Sequence, residues 1–222
     1  MELDSIQLDL LKNIAGITGF DENGAYNLRL NGAGVARSVT ENIDIVPKTD
    51  KPGIDIYIKP GTKGEQVHIP VILSESGLKE TVFNDFHIGE NADVSIIAGC
   101  GIHNCGESSS EHSGIHSFYV GRNAKVKYTE KHYGTGEGNG ERVMNPTTYA
   151  ELEDGSYMEM DTVQIRGVDS TARKTRAVIG NDATLIIKEK IMTHGRQIAK
   201  TEFTVDLNGE NSGAHVVSRS VA

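Results

Sequence analysis

One short pattern recurs down the second half of the chain and limits what it can become. Ile88-Gly89-Glu90-Asn91-Ala92 is followed by Val120-Gly121-Arg122-Asn123-Ala124, then Leu152-Glu153-Asp154-Gly155-Ser156. Ile179-Gly180-Asn181-Asp182-Ala183 and a looser Gly209-Glu210-Asn211-Ser212-Gly213-Ala214 complete the series. The Asn or Asp positions 91, 123, 154, 182 and 211 fall about 28–32 residues apart. A fixed period of this length marks a repeat architecture. Gly and Asn tolerate positive φ, so they turn the chain sharply between strands. One strand-turn-strand unit cannot bury its apolar face, whereas stacked units bury a continuous core. The pattern therefore predicts an all-β chain built as a β-solenoid. A β-sandwich also spaces its strands evenly, but it does not call for the same turn in every unit.

The upstream sequence agrees. Tyr26-Leu28-Leu30, Ile43-Ile45 and Ile54-Ile56-Ile58 alternate with period two, and Asn31-Gly32, Pro52-Gly53 and Pro60-Gly61 separate the runs. Only the N-terminus reads as helical. Asp4 is placed to cap a helix over residues 5–13, with Leu3, Ile6, Leu10, Leu11 and Ile14 near one face and Gly16 and Gly19 as stops. Two uses are open for it: a plug over one end of the core, or a docking helix for a partner. The organisation expected is an N-terminal helical segment, 1–20, and a β-core, 21–222. Residues 214–222 read as a strand that stops in mid-pattern. Because solenoid ends need covering, this implies either a protein that continues past Ala222 or an open end closed by another subunit.

Charge narrows the partners. A net charge of −9 without a basic stripe argues against nucleic acid. No apolar run reaches the ~18–20 residues needed to cross a bilayer. The first residues lack the basic start and apolar core of a secretion signal, so a cytoplasmic location is expected. Two cysteines are too few for a disulfide framework.

Both cysteines lie in one segment, Gly99-Cys100-Gly101-Ile102-His103-Asn104-Cys105-Gly106, which runs through Glu107 and Glu111 to His112-Ser113-Gly114-Ile115-His116. Thiolate and imidazole are ligands for iron or zinc. Cys100, His103, Cys105, His112 and His116 are accordingly the candidate metal residues, with Glu107 or Glu111 available as a carboxylate. Cys100 and Cys105 are an odd number apart and diverge on a straight strand unless Gly101 and Gly106 bend it. His103 and Cys105 share a face, as do His112 and His116. The plainer reading is a buried cysteine with surface histidines. The segment reads as a turn-rich insertion at one level of the solenoid, with a mobile loop at residues 108–110.

Other motifs carry less. His132 precedes a glycine-rich stretch, 134–140, that lacks the Gly-Lys-Ser/Thr ending of a phosphate loop and reads as a long flexible turn. His194 and His215 read as structural or exposed. Asp161, Lys174 and Arg176 are the residues a sugar lyase on this fold would use, but such enzymes are secreted. No His-x-His pair supports a cupin-like metal enzyme.

Several motifs, taken in order, resemble the core domain shared by SufB and SufD, scaffold proteins of the Suf iron–sulfur assembly system, and most of all its short members in archaea and anaerobes. They are Asn84-Asp85-Phe86-His87-Ile88-Gly89, Gly99-Cys100-Gly101-Ile102-His103-Asn104, His112-Ser113-Gly114-Ile115-His116-Ser117-Phe118 and Tyr128-Thr129-Glu130-Lys131-His132-Tyr133-Gly134. Met144-Asn145-Pro146-Thr147-Thr148, Gln164-Ile165-Arg166-Gly167-Val168-Asp169-Ser170-Thr171 and Ser218-Arg219-Ser220-Val221-Ala222 extend the series. The resemblance implies a right-handed parallel β-helix. It implies a scaffold rather than an enzyme, carrying a transient iron–sulfur cluster. It also implies a SufC-type ATPase as partner and a homodimer or SufB–SufD-type heterodimer. Cys100, His103 and Cys105 are then the expected cluster contacts. In SufB-like proteins further cluster residues and the SufC-docking helices lie in a C-terminal region that would begin where this chain ends, so none of them is assigned here. The rival reading is a β-solenoid binding module with a zinc-binding Cys/His loop and no sulfur chemistry.

Overall fold

The computed structural model describes residues 3–17, 19 and 24–222. The boundary expected at 20/21 lies outside the described residues. The chain opens with helix α1 (Ser5–Ala15). Two antiparallel pairs follow, β1 (Ala25–Leu30) with β2 (Ala33–Ser38), and β3 (Ile43–Pro47) with β4 (Gly53–Ile58). From there the chain alternates between two sheets. One receives β5 (Lys63–Leu73), β7 (Asp93–His103), β9 (Lys125–Thr135), β12 (Tyr157–Arg166), β14 (Thr184–Met192) and β16 (Gly213–Val221). The other receives β6 (Lys79–Ile88), β8 (Ser110–Val120), the short β10 (Arg142–Met144), β11 (Thr147–Leu152), β13 (Ser170–Ile179) and β15 (Ile198–Leu207). Each strand pairs in parallel with the strand one coil away, which makes a β-solenoid of about six turns.

The repeated turn does what its residues permit, with one shift of register. Asn91, Asn123, Asp182 and Asn211 have φ of 52–58°, but in the third coil Gly155, not Asp154, takes the left-handed position. Gly61, at φ 75°, is an earlier member that the sequence pattern did not include. The N–H of all of these but Asn211 donates to a carbonyl in the next coil's corner: Gly61 to Glu90, Asn91 to Arg122, Asn123 to Asp154, Gly155 to Asn181 and Asp182 to Glu210, at 2.8–3.0 Å. The glycine that opens most of these turns serves another purpose. A Cβ on Gly89 would lie 2.4 Å from the Pro60 nitrogen, and one on Gly121 would lie 2.7 Å from the Ile88 carbonyl oxygen. Close stacking of corners, not positive φ, demands glycine there.

Alternation then fills the lumen. Val67, Ile96, Tyr128, Met160 and Ile187 form one inward row, and Ile56, Phe86, Phe118, Ala150 and Ala177 form the row on the opposite sheet. Phe86 and Phe118 stack at 4.4 Å, 3° from parallel. This apolar core lies near the Asn corners, and a second apolar cluster of Val71, Leu73, Cys100, Ile102, Met144 and Val168 lies toward the other end of the strands. Between them the inward positions turn polar.

Helix α1 is closed by a capping box. The Asp4 carboxylate accepts from the Gln7 N–H at 2.8 Å, the Gln7 side chain accepts from the Asp4 N–H at 3.1 Å, and Gly16 terminates the helix at φ 71°. It neither plugs the core nor stands free. Leu10, Leu11, Ile14 and Ala15 pack across the outer face of the β5–β7–β9 sheet, against Ile72, Ile97 and Tyr133. A Cβ on Gly99 would lie 2.9 Å from the Ile14 Cβ, and one on Gly101 would lie 3.1 Å from the Leu10 Cβ. Gly101, read from the sequence as a place where the strand bends, is instead, with Gly99, part of the flat floor on which the helix rests.

Candidate functional site

The Cys/His segment is not an insertion. Residues 99–103 end strand β7, residues 110–116 begin β8, and a tight corner joins them. Strand alternation and the corner between the strands send the five candidate residues to two places.

Cys105 and His103 meet on the outside. Cys105 is exposed, and its Sγ lies 3.1 Å from His103 Nε2. His103 Nδ1 lies 2.9 Å from the Thr135 hydroxyl. The corner beneath them is fixed rather than mobile. Asn104, fully buried, donates its amide to the Ser108 and Gly140 carbonyls and accepts from the Gly106 N–H at 3.0 Å. Ser110 is also fully buried, and its Oγ receives the Gly77 N–H at 3.1 Å. The glycine-rich stretch at 134–140 is the next coil's corner, stacked directly on this one. A Cβ on Gly136, Gly138 or Gly140 would meet backbone of residues 104–108 at 2.2–2.4 Å. Its glycines therefore record close packing, not flexibility. Glu107 accepts from the Asn139 amide and Glu111 from Ser113 and Asn145.

Cys100, His112 and His116 face the lumen instead. With Asn84, Glu130, His132 and Gly114 they line a small internal cavity of about 20 Å³. Gly114 makes that space, since a Cβ there would lie 3.2 Å from His116 Nε2 and 3.4 Å from His112 Nε2. Around it runs a network that sequence reasoning missed. Glu130 accepts from Arg173 at 2.5 Å and from the Tyr128 hydroxyl at 3.0 Å, and His132 Nε2 lies 3.6 Å away. Arg173 also reaches Glu189 at 3.5 Å, and Glu189 accepts from the Thr201 and Ser218 hydroxyls. On the other side His112 Nδ1 lies 3.0 Å from Glu80, which also pairs with Arg29 at 2.7 Å.

The hydrogen bonds settle one tautomer. The single hydroxyl proton of Tyr128 goes to Glu130, so His116 Nδ1 donates to the Tyr128 oxygen at 2.8 Å. His116 Nε2 is then the acceptor facing the Asn84 amide at 3.3 Å. Burial pushes His116 down to about 4, only partly opposed by Glu130, so it is neutral near pH 7. Burial would raise Glu130, but the charge of Arg173, then that of His132, holds it well below the usual carboxylate range. Burial, then the charges of Glu80 and Glu130, pushes the Cys100 thiol well up and keeps it protonated.

The five residues thus form a surface pair and an internal set. Among the described residues no group of three or more His, Cys, Asp or Glu is arranged to hold a metal ion. His194 and His215 are exposed, as read. Asp161 pairs with Lys190 on the β12 side, while Lys174 and Arg176 lie on β13 in the other sheet, so no lyase-like cluster exists among them. No helix among the described residues is long and apolar enough to cross a membrane.

Comparison with known proteins agrees with the fold and the motifs. A family model described as SUF system FeS cluster assembly, SufBD core domain, matches residues 75–222. An iron-sulfur cluster assembly SufBD family protein of Archaeoglobus fulgidus is 26% identical over 176 residues, covering 78% of this chain and 46% of that protein. Another of the same description from Methanocaldococcus jannaschii is 24% identical over 169 residues, covering 75% of this chain and 52% of its own. The match thus spans about half the length of each relative. No solved structure matches significantly. With the family model covering most of the chain, this protein belongs to the SufBD core-domain family of the SUF iron–sulfur cluster assembly system.

Proposed function

We propose that the chain is part of a cytoplasmic scaffold on which an iron–sulfur cluster is assembled as cargo, working with a SufC-type ATPase and as one half of a homodimer or of a SufB–SufD-type pair. The observation that carries this reading is the family match across residues 75–222, which spans both the Cys105 corner and most of the polar lumen. The scaffold itself turns nothing over, and ATP hydrolysis is the partner's. The lumen supports one refinement. A cavity of about 20 Å³ admits a single water-sized guest and no cluster. Cargo therefore sits outside the coil stack, and the polar belt serves to fix the coils that present it.

The full-length protein, mixed anaerobically with ferrous iron, a sulfide source, a SufC-type ATPase and ATP, is expected to develop the sulfur-to-iron charge-transfer absorbance and to co-elute with the ATPase. Absence of both sinks the proposal. Zinc binding without acid-labile sulfide would favour a zinc-stabilised binding module instead.

A further inference from the structure

We propose that Cys105 is a nucleophilic thiol, activated by His103, that exchanges with low-molecular-weight disulfides and so makes the corner between β7 and β8 a redox-modification site. This goes beyond the assembly role and stands independently of it. Three features built into the corner carry it. The thiol is exposed and 3.1 Å from His103 Nε2, within reach for proton transfer. The imidazole is oriented from behind by the Thr135 hydroxyl at 2.9 Å from Nδ1, the arrangement of nucleophile, base and orienting group that activates thiols. The backbone beneath is locked by the buried Asn104 and by the glycine corner of the next coil, so the pair keeps its geometry without a ligand.

The tautomer is consistent throughout the reaction. With Nδ1–H donating to Thr135, Nε2 offers its lone pair to the thiol proton. After transfer, both ring nitrogens donate, one to Thr135 and one to the Cys105 thiolate. The thiolate attacks one sulfur of a disulfide R–S–S–R. The new Cys105–S–S–R bond forms as the old S–S bond breaks, and the leaving RS⁻ takes the proton from His103 Nε2 and departs as RSH. Cys105 sulfur is oxidised and the departing sulfur is reduced, so no further oxidant is needed. The product is a mixed disulfide rather than an internal bridge because Cys100, the other cysteine of these 222 residues, is buried and turned into the lumen. The net charge of −9 favours neutral or cationic disulfides over anionic ones.

The test treats the full-length protein with dithiodipyridine, follows release of the thiopyridone, and maps the adduct by peptide mass spectrometry. Cys105 is expected to be modified rapidly and Cys100 not at all. At neutral pH His103→Gln is expected to slow Cys105 modification by at least about ten-fold. In His103→Ala, added imidazole is expected to restore part of the rate. Cystamine should react faster than a dianionic disulfide. Modification of Cys100 at a comparable rate, or a His103→Gln rate equal to that of the parent at neutral pH, overturns the proposal. A failure of imidazole to rescue His103→Ala counts equally against it.

Discussion

Removing Arg173 should expose how the inside of the solenoid is held together. Its guanidinium sits in the lumen with Glu130 at 2.5 Å, the two side chains each 4% exposed, and with Glu189 at 3.5 Å. Arg173→Met keeps the length and the apolar stem but leaves two buried carboxylates without their guanidinium. Breaking a buried pair in this way costs about 3–5 kcal/mol. Tyr128 still donates to Glu130, but one hydrogen bond from an uncharged donor does not replace the ion pair. The sign of the pH dependence is a sharper test than the size. In the parent, Glu130 is held well below its unfolded value, so its stabilisation is present above that value and is lost only as pH falls through the lower folded one. Without Arg173 the burial effect dominates and the folded value rises above the unfolded one. The penalty in Arg173→Met should therefore shrink as pH falls and Glu130 takes up a proton. Glu130→Gln with Arg173→Met should recover at least about half of the loss, since no carboxylate then faces the missing guanidinium at the shortest contact. Urea unfolding of the three proteins between pH 4 and pH 8 reads all of this. A loss below about 1 kcal/mol at pH 7, a loss independent of pH, or a double variant no more stable than the single one would rule out this role for the Arg173–Glu130 pair.

Other consequences follow from the same geometry. His116, pushed down to about 4 by burial, stays neutral in the folded chain while the unfolded chain takes up a proton near its usual value of about 6.5. Stability should therefore fall by about 3 kcal/mol as pH drops from 6.5 to 4, and His116→Gln should remove that slope in urea titrations. Gly99→Ala pushes a methyl to within 2.9 Å of the Ile14 Cβ and 2.8 Å of the Lys131 carbonyl oxygen, so α1 must lift or the strand must shift. A cost of about 1–3 kcal/mol is expected, against no more than a few tenths for Gly34→Ala, where the added methyl meets nothing within 4 Å. Asn123→Val puts a β-branched residue at φ 56° and should cost about 1–2 kcal/mol in urea unfolding, while Asn123→Gly should be nearly neutral.

The solenoid was legible because its corners repeat in sequence. Asn91, Asn123, Asp182 and Asn211 occupy the same backbone position for the same steric reason, and only the Asp154-Gly155 corner hides which residue takes the turn. The sequence reading puts His103 and Cys105 on one face, and they do meet, although Cys105 lies past the end of β7 and the corner, not strand alternation, brings it back to His103. What could not be read was which face. Gly99 and Gly101 carry no mark distinguishing a bend from the floor beneath a helix that lies far away in sequence. Glu130 and Arg173 are 43 residues apart and meet only because β9 and β13 face each other across the lumen. A partial signal existed: Tyr128, Glu130 and His132 continue the inward alternation begun by Val126, so polar residues on a core row called for buried partners. Identifying Arg173 as that partner required the fold.

The proposed iron–sulfur cargo of this chain would sit on the outside of a rigid coil stack. The most direct test is the iron and acid-labile sulfide content of the full-length protein purified anaerobically together with its ATPase. Iron and acid-labile sulfide are expected in about equal amounts, both lost to an added apo-ferredoxin, with the Gly114→Ala variant, whose internal cavity is filled, loading as well as the parent. Zinc with no sulfide, or loading abolished in a folded Gly114→Ala protein, would contradict this proposal.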